Sequence, residues 1–241
     1  MDIPEKIDII ISGGAQLLEI MDREEPISDR NLIVYAFLRK TVRLTMAFMV
    51  LVEAGFEEES QILARALIET RINFEYFLLM AREDYKNATG RMSAALMLDK
   101  LKALRATDFR IGDHQVDREE WENIEEKIRD SCGEEIFEQI KRFGFSGLSL
   151  EARAVRTGNK ELYDLAYRLY SRNVHATEIH EQLRRKLGGE GLAGTEETLL
   201  PAVLEAAWAC ASVVVDKSND WIGDPLGVKG GKPPEPGDAP L

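Results

Sequence analysis

Apolar residues recur at spacings of three and four along almost the whole chain, and no stretch alternates with the period of two that a strand requires. No segment between turn signals is rich in β-branched residues, and the sequence contains no internal repeat. These patterns predict an all-α protein. Long helices joined by mostly short links favour an up-and-down helical bundle, with additional short peripheral helices between residues 117 and 150.

Proline, glycine and capping residues divide the chain into predicted helices. The long helices begin near Pro4, Ser28, Glu57, Asn87, Asn159 and Thr195. Shorter helices are predicted from Asp117 to Gly133 and from Ser149 to Gly158, and the first of these is strongly charged and therefore peripheral. The last long helix is apolar nearly all round, so it is predicted to lie at the centre of the bundle.

The chain is predicted to form a single helical domain over residues 1–222. A chain of 241 residues can bury one sizeable core, and a helical array of this length need not be divided. Glycine and proline dominate residues 223–241, which offer little apolar surface to bury. This segment is predicted to be a disordered tail.

Charge and cysteine content restrict the partners and the compartment. The net charge of -12 disfavours an extended phosphate-binding surface and argues against duplex DNA as a partner. Cys132 and Cys210 are far apart and have no metal-like spacing, so we expect neither a disulfide framework nor a zinc site, and a reducing cytoplasm fits best. The longest mostly apolar run, Leu44 to Val52, is far shorter than the roughly 20 residues that span a bilayer, so no membrane role is expected.

Motifs that hold a cofactor or a metal ion are missing from the sequence. No glycine-rich motif is followed by the Lys-Ser or Lys-Thr pair of a phosphate-binding loop. No Glu stands three residues before His114, His175 or His180, as a carboxylate-bridged di-iron bundle requires. The sequence therefore predicts no cofactor and no metal site.

Polar residues stand among apolar ones on one face of the third predicted helix. Arg65, Glu69 and Tyr76 share a stripe with apolar side chains when residues are placed at about 100° intervals. Arg65 and Glu69 have the i,i+4 spacing of an ion pair, which either fixes the register of the helix or belongs to a binding site. The opposite arc, with Arg71 and Glu75, is predicted to be the solvated face.

A second polar group lies on the helix predicted to follow Asn159. Tyr167 belongs to a tyrosine-rich stripe, and Arg168, Ser171 and His175 lie on the adjoining polar arc. An aromatic stripe beside a polar arc is either a functional site or the border between the buried face and the solvated face of the helix.

Arg168 and His175 are separated by six residues, and an arginine can hold a phosphate while a nearby histidine transfers a proton. This spacing resembles the motif of HEPN-domain ribonucleases, helical bundles that usually pair their sites across a dimer. In that motif a polar residue usually follows the arginine, where this chain has Leu169. The resemblance implies a metal-independent endoribonuclease with Arg168 and His175 as catalytic residues, RNA as substrate and a homodimer as assembly. The alternative is a solvated edge on which Asp164 pairs with Arg168.

A broader resemblance covers the chain from about Glu53 to His180. The segment ARALIETRINFEYFLL and the later segment LEARAVRTGNKELYDLAYRLYSRNVH resemble, in this order, the prokaryotic family of unknown function numbered 5677. The resemblance implies a helical fold with a shared polar centre, and no established activity. The binding residues of that centre would be Arg65, Glu69, Tyr76, Tyr167, Ser171 and His175.

These observations favour a cytoplasmic, non-enzymatic binding or interaction module with a polar network between its helices. The HEPN-like endoribonuclease is the alternative. The two hypotheses differ in what they require of His175, which is buried with both ring nitrogens satisfied in the network and faces an open cleft in the enzyme. The sequence does not identify the ligand or the partner.

Overall fold

The computed structural model describes residues 2–23, 27, 29–107, 118–164 and 199–223. Every regular element within these ranges is helical, which confirms the predicted all-α fold. The helices are α1 (Ile3–Asp22), α2 (Asp29–Glu53), α3 (Glu57–Glu83), α4 (Tyr85–Thr107), α5 (Arg118–Cys132), α6 (Glu134–Phe143), α7 (Leu150–Arg156), α8 (Lys160–Leu162) and α9 (Leu199–Trp221). None of the helices in the described ranges is both long and apolar enough to cross a membrane.

The first helix begins where the sequence predicts it, because its first turn carries a complete capping box. The Asp2 carboxylate accepts a hydrogen bond from the Glu5 amide at 2.9 Å, and the Glu5 carboxylate accepts one from the Asp2 amide at 3.1 Å. Pro4 occupies the first turn, where a missing amide hydrogen costs nothing. Two amides that no helical carbonyl could reach are thereby satisfied.

Gly55 separates α2 from α3, as predicted. Its φ of 80° lies in the left-handed region, which glycine adopts without a steric penalty. The Phe56 amide donates to the Leu51 carbonyl at 2.8 Å and the Gly55 amide to the Val52 carbonyl at 3.0 Å. This pair of bonds is the Schellman arrangement, which satisfies the last carbonyls of α2 and ends the helix.

The chain forms two compact units, Met1–Phe74 with Gly158–Leu241, and Glu75–Thr157. The first unit contains α1, α2, most of α3, α8 and α9, and the second contains the end of α3 with α4 to α7. The single domain over residues 1–222 stays a prediction. Of the predicted tail, only Gly223 lies within the described residues.

The core of the first unit lies where α1, α2 and α9 pack against one another. A Cβ atom added to Gly14 of α1 would lie 2.5 Å from Cγ2 of Val42 and 3.3 Å from Cγ2 of Val215. The glycine therefore permits close approach of three helices, although it weakens the helix itself. The buried cluster around this contact contains Leu17, Met21, Leu38, Val42 and Val215.

The helix α9 packs against α1 and α2 in the core of the first unit, and its place at the centre of the bundle stays a prediction. It buries one stripe that includes Val203, Ala207 and Val214, and it exposes Glu205 and Asp216. Burial is more complete in α3, where five consecutive residues, 74–78, are all buried.

The second unit is built around α4, α5 and α6, which pack against one another. Phe137 of α6 is fully buried, and the cations of Arg129 and Lys141 lie 4.6 and 5.5 Å from the centre of its ring. Such cations add attraction to the aromatic face and cover it from water. Phe137 is thus an anchor of this unit.

Candidate functional site

The early polar motif lies on the part of α3 that belongs to the first unit. Three glutamates in the first turn of α3 favour helix formation through the helix dipole, and Arg65 and Glu69 follow in the next turns. Both side chains are half-buried, and the Nε atom of Arg65 is enclosed. The Arg65 side chain is engaged in an interaction. Among the ion pairs of the described residues, none joins Arg65 to Glu69, so the predicted pairing within the helix is not observed.

Tyr76 lies on the same helix, in the part that belongs to the second unit. It stands eleven residues beyond Arg65, which corresponds to about 16 Å along a helix axis. Tyr76 is 5% exposed and belongs to the second unit, where its ring centre lies 6.3 Å from that of Phe145. The tilted contact is typical of aromatic packing. A binding role of Tyr76 stays a prediction.

The late motif lies outside the described residues. This holds for Tyr167, Arg168, Ser171 and His175, so the proposed catalytic pair and the Tyr, Ser and His series stay predictions. The nearest described residue is Asp164, whose carboxylate accepts a hydrogen bond from the ammonium group of Lys160 one turn earlier.

The opposite arc of α3 is not the solvated face that the sequence predicts. Arg71 is half-buried, and its Nη1 donates a hydrogen bond to the main-chain carbonyl of Ala209 in α9 at 3.2 Å. Glu75 is only 9% exposed. The prediction was wrong because α3 is enclosed on more than one side, and a long arginine side chain reaches the backbone of a neighbouring helix.

Several buried hydroxyl groups form hydrogen bonds within their own helix, so their burial does not indicate a binding site. The Thr45 hydroxyl donates to the Thr41 carbonyl at 2.8 Å, and the Thr70 hydroxyl donates to the Ala66 carbonyl at 2.7 Å. Each bond returns to the preceding turn of the same helix, a common solution for threonine in a packed helix.

Sequence reasoning missed a second arginine, Arg91 of α4, which organises the link before α7. Its Nε donates to the Phe145 carbonyl at 2.9 Å, and its Nη2 donates to Oε1 of Gln139 at 3.4 Å. Gly147 has a φ of 65°, and a Cβ there would lie 2.7 Å from Nη2 of Arg91. Glycine at this position therefore permits the turn and leaves room for the guanidinium group. Arg91 has a structural role within the second unit.

Neither cysteine has the environment of a nucleophile. Burial raises the pKa of the Cys132 thiol, which disfavours the reactive thiolate. Cys210 is buried in α9. Within the described ranges, no group of three His, Cys, Asp or Glu side chains is arranged to hold a metal ion.

Comparison with known protein families gives one finding. The sequence model of a family described as a family of unknown function, DUF5677, matches residues 31–190, well over half of the chain. The matched segment includes most of α2 and all of α3 with Arg65 and Glu69, and it extends beyond the region that carries the resemblance in the sequence. No curated protein and no solved structure matches the chain.

Proposed function

We propose that this chain, which belongs to the family of unknown function DUF5677, is a non-catalytic binding module. Its polar centre joins Arg65 and Glu69 of α3 to Tyr167, Ser171 and His175 of the late motif. The observation that carries the proposal is the enclosed Nε atom of Arg65, which keeps part of a permanent positive charge away from water. Burying a cation costs free energy, and chains retain such groups where they fix one arrangement of helices or recognise a ligand.

Hydrogen-bonding capacity supports the pairing of the two motifs. Glu69 is half-buried, and no described residue forms an ion pair with it. An ionised carboxylate only accepts hydrogen bonds, whereas Tyr167, Ser171 and His175 can each donate one. A buried polar network requires a donor for each acceptor, and in this proposal the late motif supplies the donors for Glu69.

Arg71 of α3 has a structural contact, because its guanidinium binds the backbone of α9. Arg65 lies six residues earlier, which places it on a different side of the helix and about 9 Å away along the axis. We therefore assign ligand binding to Arg65 and not to Arg71. We also place the module in the cytoplasm, since both cysteines are free thiols.

A small anion is the ligand class that suits Arg65, and inorganic phosphate is the probe. A ligand that binds only the folded state raises the midpoint of thermal unfolding as its concentration increases. We expect this rise in phosphate, relative to chloride at equal ionic strength, for the wild-type protein. Arg65→Met should abolish the rise, and Arg82→Met, which removes an exposed arginine from the end of the same helix, should retain it. A wild-type midpoint that phosphate does not move would contradict anion binding.

The ribonuclease alternative is tested with a mixed RNA pool in chelator. The binding module leaves the RNA intact. If the wild-type protein cut RNA, and if Arg168→Ala and His175→Ala folded normally without cutting, the chain would be a metal-independent ribonuclease and the proposal would be wrong.

A further inference from the structure

The middle of α2 carries only positive charge, although the protein as a whole is acidic. Between Asn31 and Val52, α2 contains three basic residues and no acidic residue, whereas the whole chain has a net charge of -12. The basic residues are Arg39, Lys40 and Arg43, and all three side chains are exposed. None of the ion pairs among the described residues includes them. Like charges one turn apart repel each other, so a bound anion would relieve a repulsion already present in α2.

Apolar side chains continue the same face of α2. Leu32 is 53% exposed, and Ala36, one turn further, is exposed as well. Spacings of four, three and four residues connect Leu32, Ala36, Arg39 and Arg43, so these residues lie along one side of the helix over about 16 Å. The face therefore has an apolar end and a basic end.

A cavity of about 570 Å³, open to solvent, lies against this face, and all of its described lining belongs to α2. Its described walls are Leu32, Tyr35, Ala36 and Leu44 on the apolar side and Arg39, Lys40 and Arg43 on the basic side. This volume is within the usual range for small-molecule sites, in which a mostly apolar lining supplies contact area and a few polar groups orient the ligand.

Tyr35 adds a fixed polar group at the edge of the cavity. A hydrogen bond from its hydroxyl to the Asp22 carboxylate, together with burial, raises the pKa of Tyr35, while the positive charge of Arg39 lowers it. The tyrosine is neutral at physiological pH, and its hydrogen bond holds the carboxylate of Asp22. Asp22 is thus engaged by a neutral partner, Tyr35, rather than by one of the three cations.

We propose that the cavity beside α2 binds a small amphiphilic anion, whose apolar body lies on Leu32 and Ala36 and whose charged head contacts Arg39, Lys40 and Arg43. A carboxylate, sulfonate or phosphate head fits the two guanidinium groups, which bind planar oxyanions with paired hydrogen bonds. The site shares no residue with the network proposed for Arg65 and Glu69, so each proposal can fail without the other.

Three single-chain probes with the same tail and different heads test the proposal by calorimetry. Decanoate carries a negative head, decanol a neutral head and decylammonium a positive head. We expect the wild-type protein to bind one equivalent of decanoate, to bind decanol more weakly and to show no saturable binding of decylammonium. Decanoate binding should weaken as salt is added, because the Debye length falls from about 10 Å at 0.1 M to about 3 Å at 1 M.

Two matched triple variants locate the site. Arg39→Gln/Lys40→Gln/Arg43→Gln should weaken decanoate binding about tenfold or more, through the loss of charge-assisted hydrogen bonds, and change decanol binding little. Lys86→Gln/Lys100→Gln/Lys127→Gln removes the same charge from exposed lysines of α4 and α5 and should leave both affinities unchanged. Ala36→Trp fills the cavity and should remove binding of both probes. Wild-type protein that binds no decanoate, or two triple variants that weaken it equally, would overturn the proposal.

Discussion

Arg71 of α3 donates a hydrogen bond from Nη1 to the main-chain carbonyl of Ala209 in α9, across 3.2 Å. A carbonyl oxygen has two lone pairs, so one that already serves its own helix can accept a second donor. Because the donor is charged, the bond is stronger than one between neutral groups. The two residues lie 138 positions apart in the chain, and their contact joins α3 to α9 within the first unit.

Replacing Arg71 with Met keeps the length of the side chain and removes its donors. We expect Arg71→Met to lower the free energy of unfolding by about 1 to 3 kcal/mol, the usual effect of losing a hydrogen bond from a charged group in a packed site. Urea unfolding measures the change. Arg82→Met, at an exposed position of the same helix, is the control and should stay within about 0.5 kcal/mol of the wild type. Equal effects of the two substitutions would mean that the bond to Ala209 contributes nothing.

Replacing glycine with alanine should change the free energy of unfolding in opposite directions at Gly14 and at Gly90. A Cβ on Gly14 would lie 2.5 Å from Cγ2 of Val42, so Gly14→Ala should lower the free energy of unfolding by about 1 to 3 kcal/mol through overpacking. Nothing lies within 4 Å of a Cβ on Gly90, so Gly90→Ala should raise it by about 0.5 to 1 kcal/mol through helix propensity. Thermal or urea unfolding compares the two variants.

A second substitution checks the cause of the Gly14 effect. Val42→Ala removes the methyl group that the new Cβ would meet, so the double variant Gly14→Ala/Val42→Ala should be more stable than the sum of the single effects predicts. Strict additivity would show that the loss does not come from this contact.

Because of the hydrogen bond from Tyr35 to Asp22, we expect the stability of the protein to depend on pH in the alkaline range. Because the pKa of Tyr35 is raised in the folded state, its contribution to stability is complete below the ordinary tyrosine value of 10.0 and is lost as pH rises through the folded value. We therefore expect the stability of the wild type to fall more steeply above about pH 10 than that of Tyr35→Phe. Absorbance titration of Asp22→Asn should show a tyrosine group that ionises at lower pH than in the wild type. An unchanged titration would remove Asp22 as the main cause.

Local signals in the sequence were sufficient for the fold class and for several helix ends. The capping box at Asp2 and the left-handed Gly55 act through atoms within one turn, so their effect is readable from neighbouring residues alone. Ser149 is another case, since its hydroxyl accepts a hydrogen bond from the Ala152 amide and begins α7 as predicted.

Contacts between distant segments could not be read in this way. Periodicity on α3 identifies an inner face only if the other side is solvated, and Arg71 shows that both sides of this helix are covered. Ile62, on the predicted inner stripe, is 40% exposed. Arg65 and Glu69 were predicted as an ion pair within the helix, and no such pair occurs among the described residues, because the partners of a charged side chain also depend on neighbouring helices that a single sequence does not specify. The cavity beside α2 depends on exposure in the folded chain, which helical spacing alone does not determine.

The central claim is that Glu69 on α3 and the late motif form one polar network. A double-mutant cycle between Glu69→Gln and Ser171→Ala tests it directly, with urea unfolding of the wild type, both single variants and the double variant. We predict a coupling free energy of about 1 kcal/mol or more, as residues within one hydrogen-bond network show. The control cycle pairs Glu69→Gln with Ser93→Ala, the same change at an exposed position of α4, and should give a coupling of about 0.3 kcal/mol or less. A coupling to Ser171 no larger than the coupling to Ser93 would contradict the network.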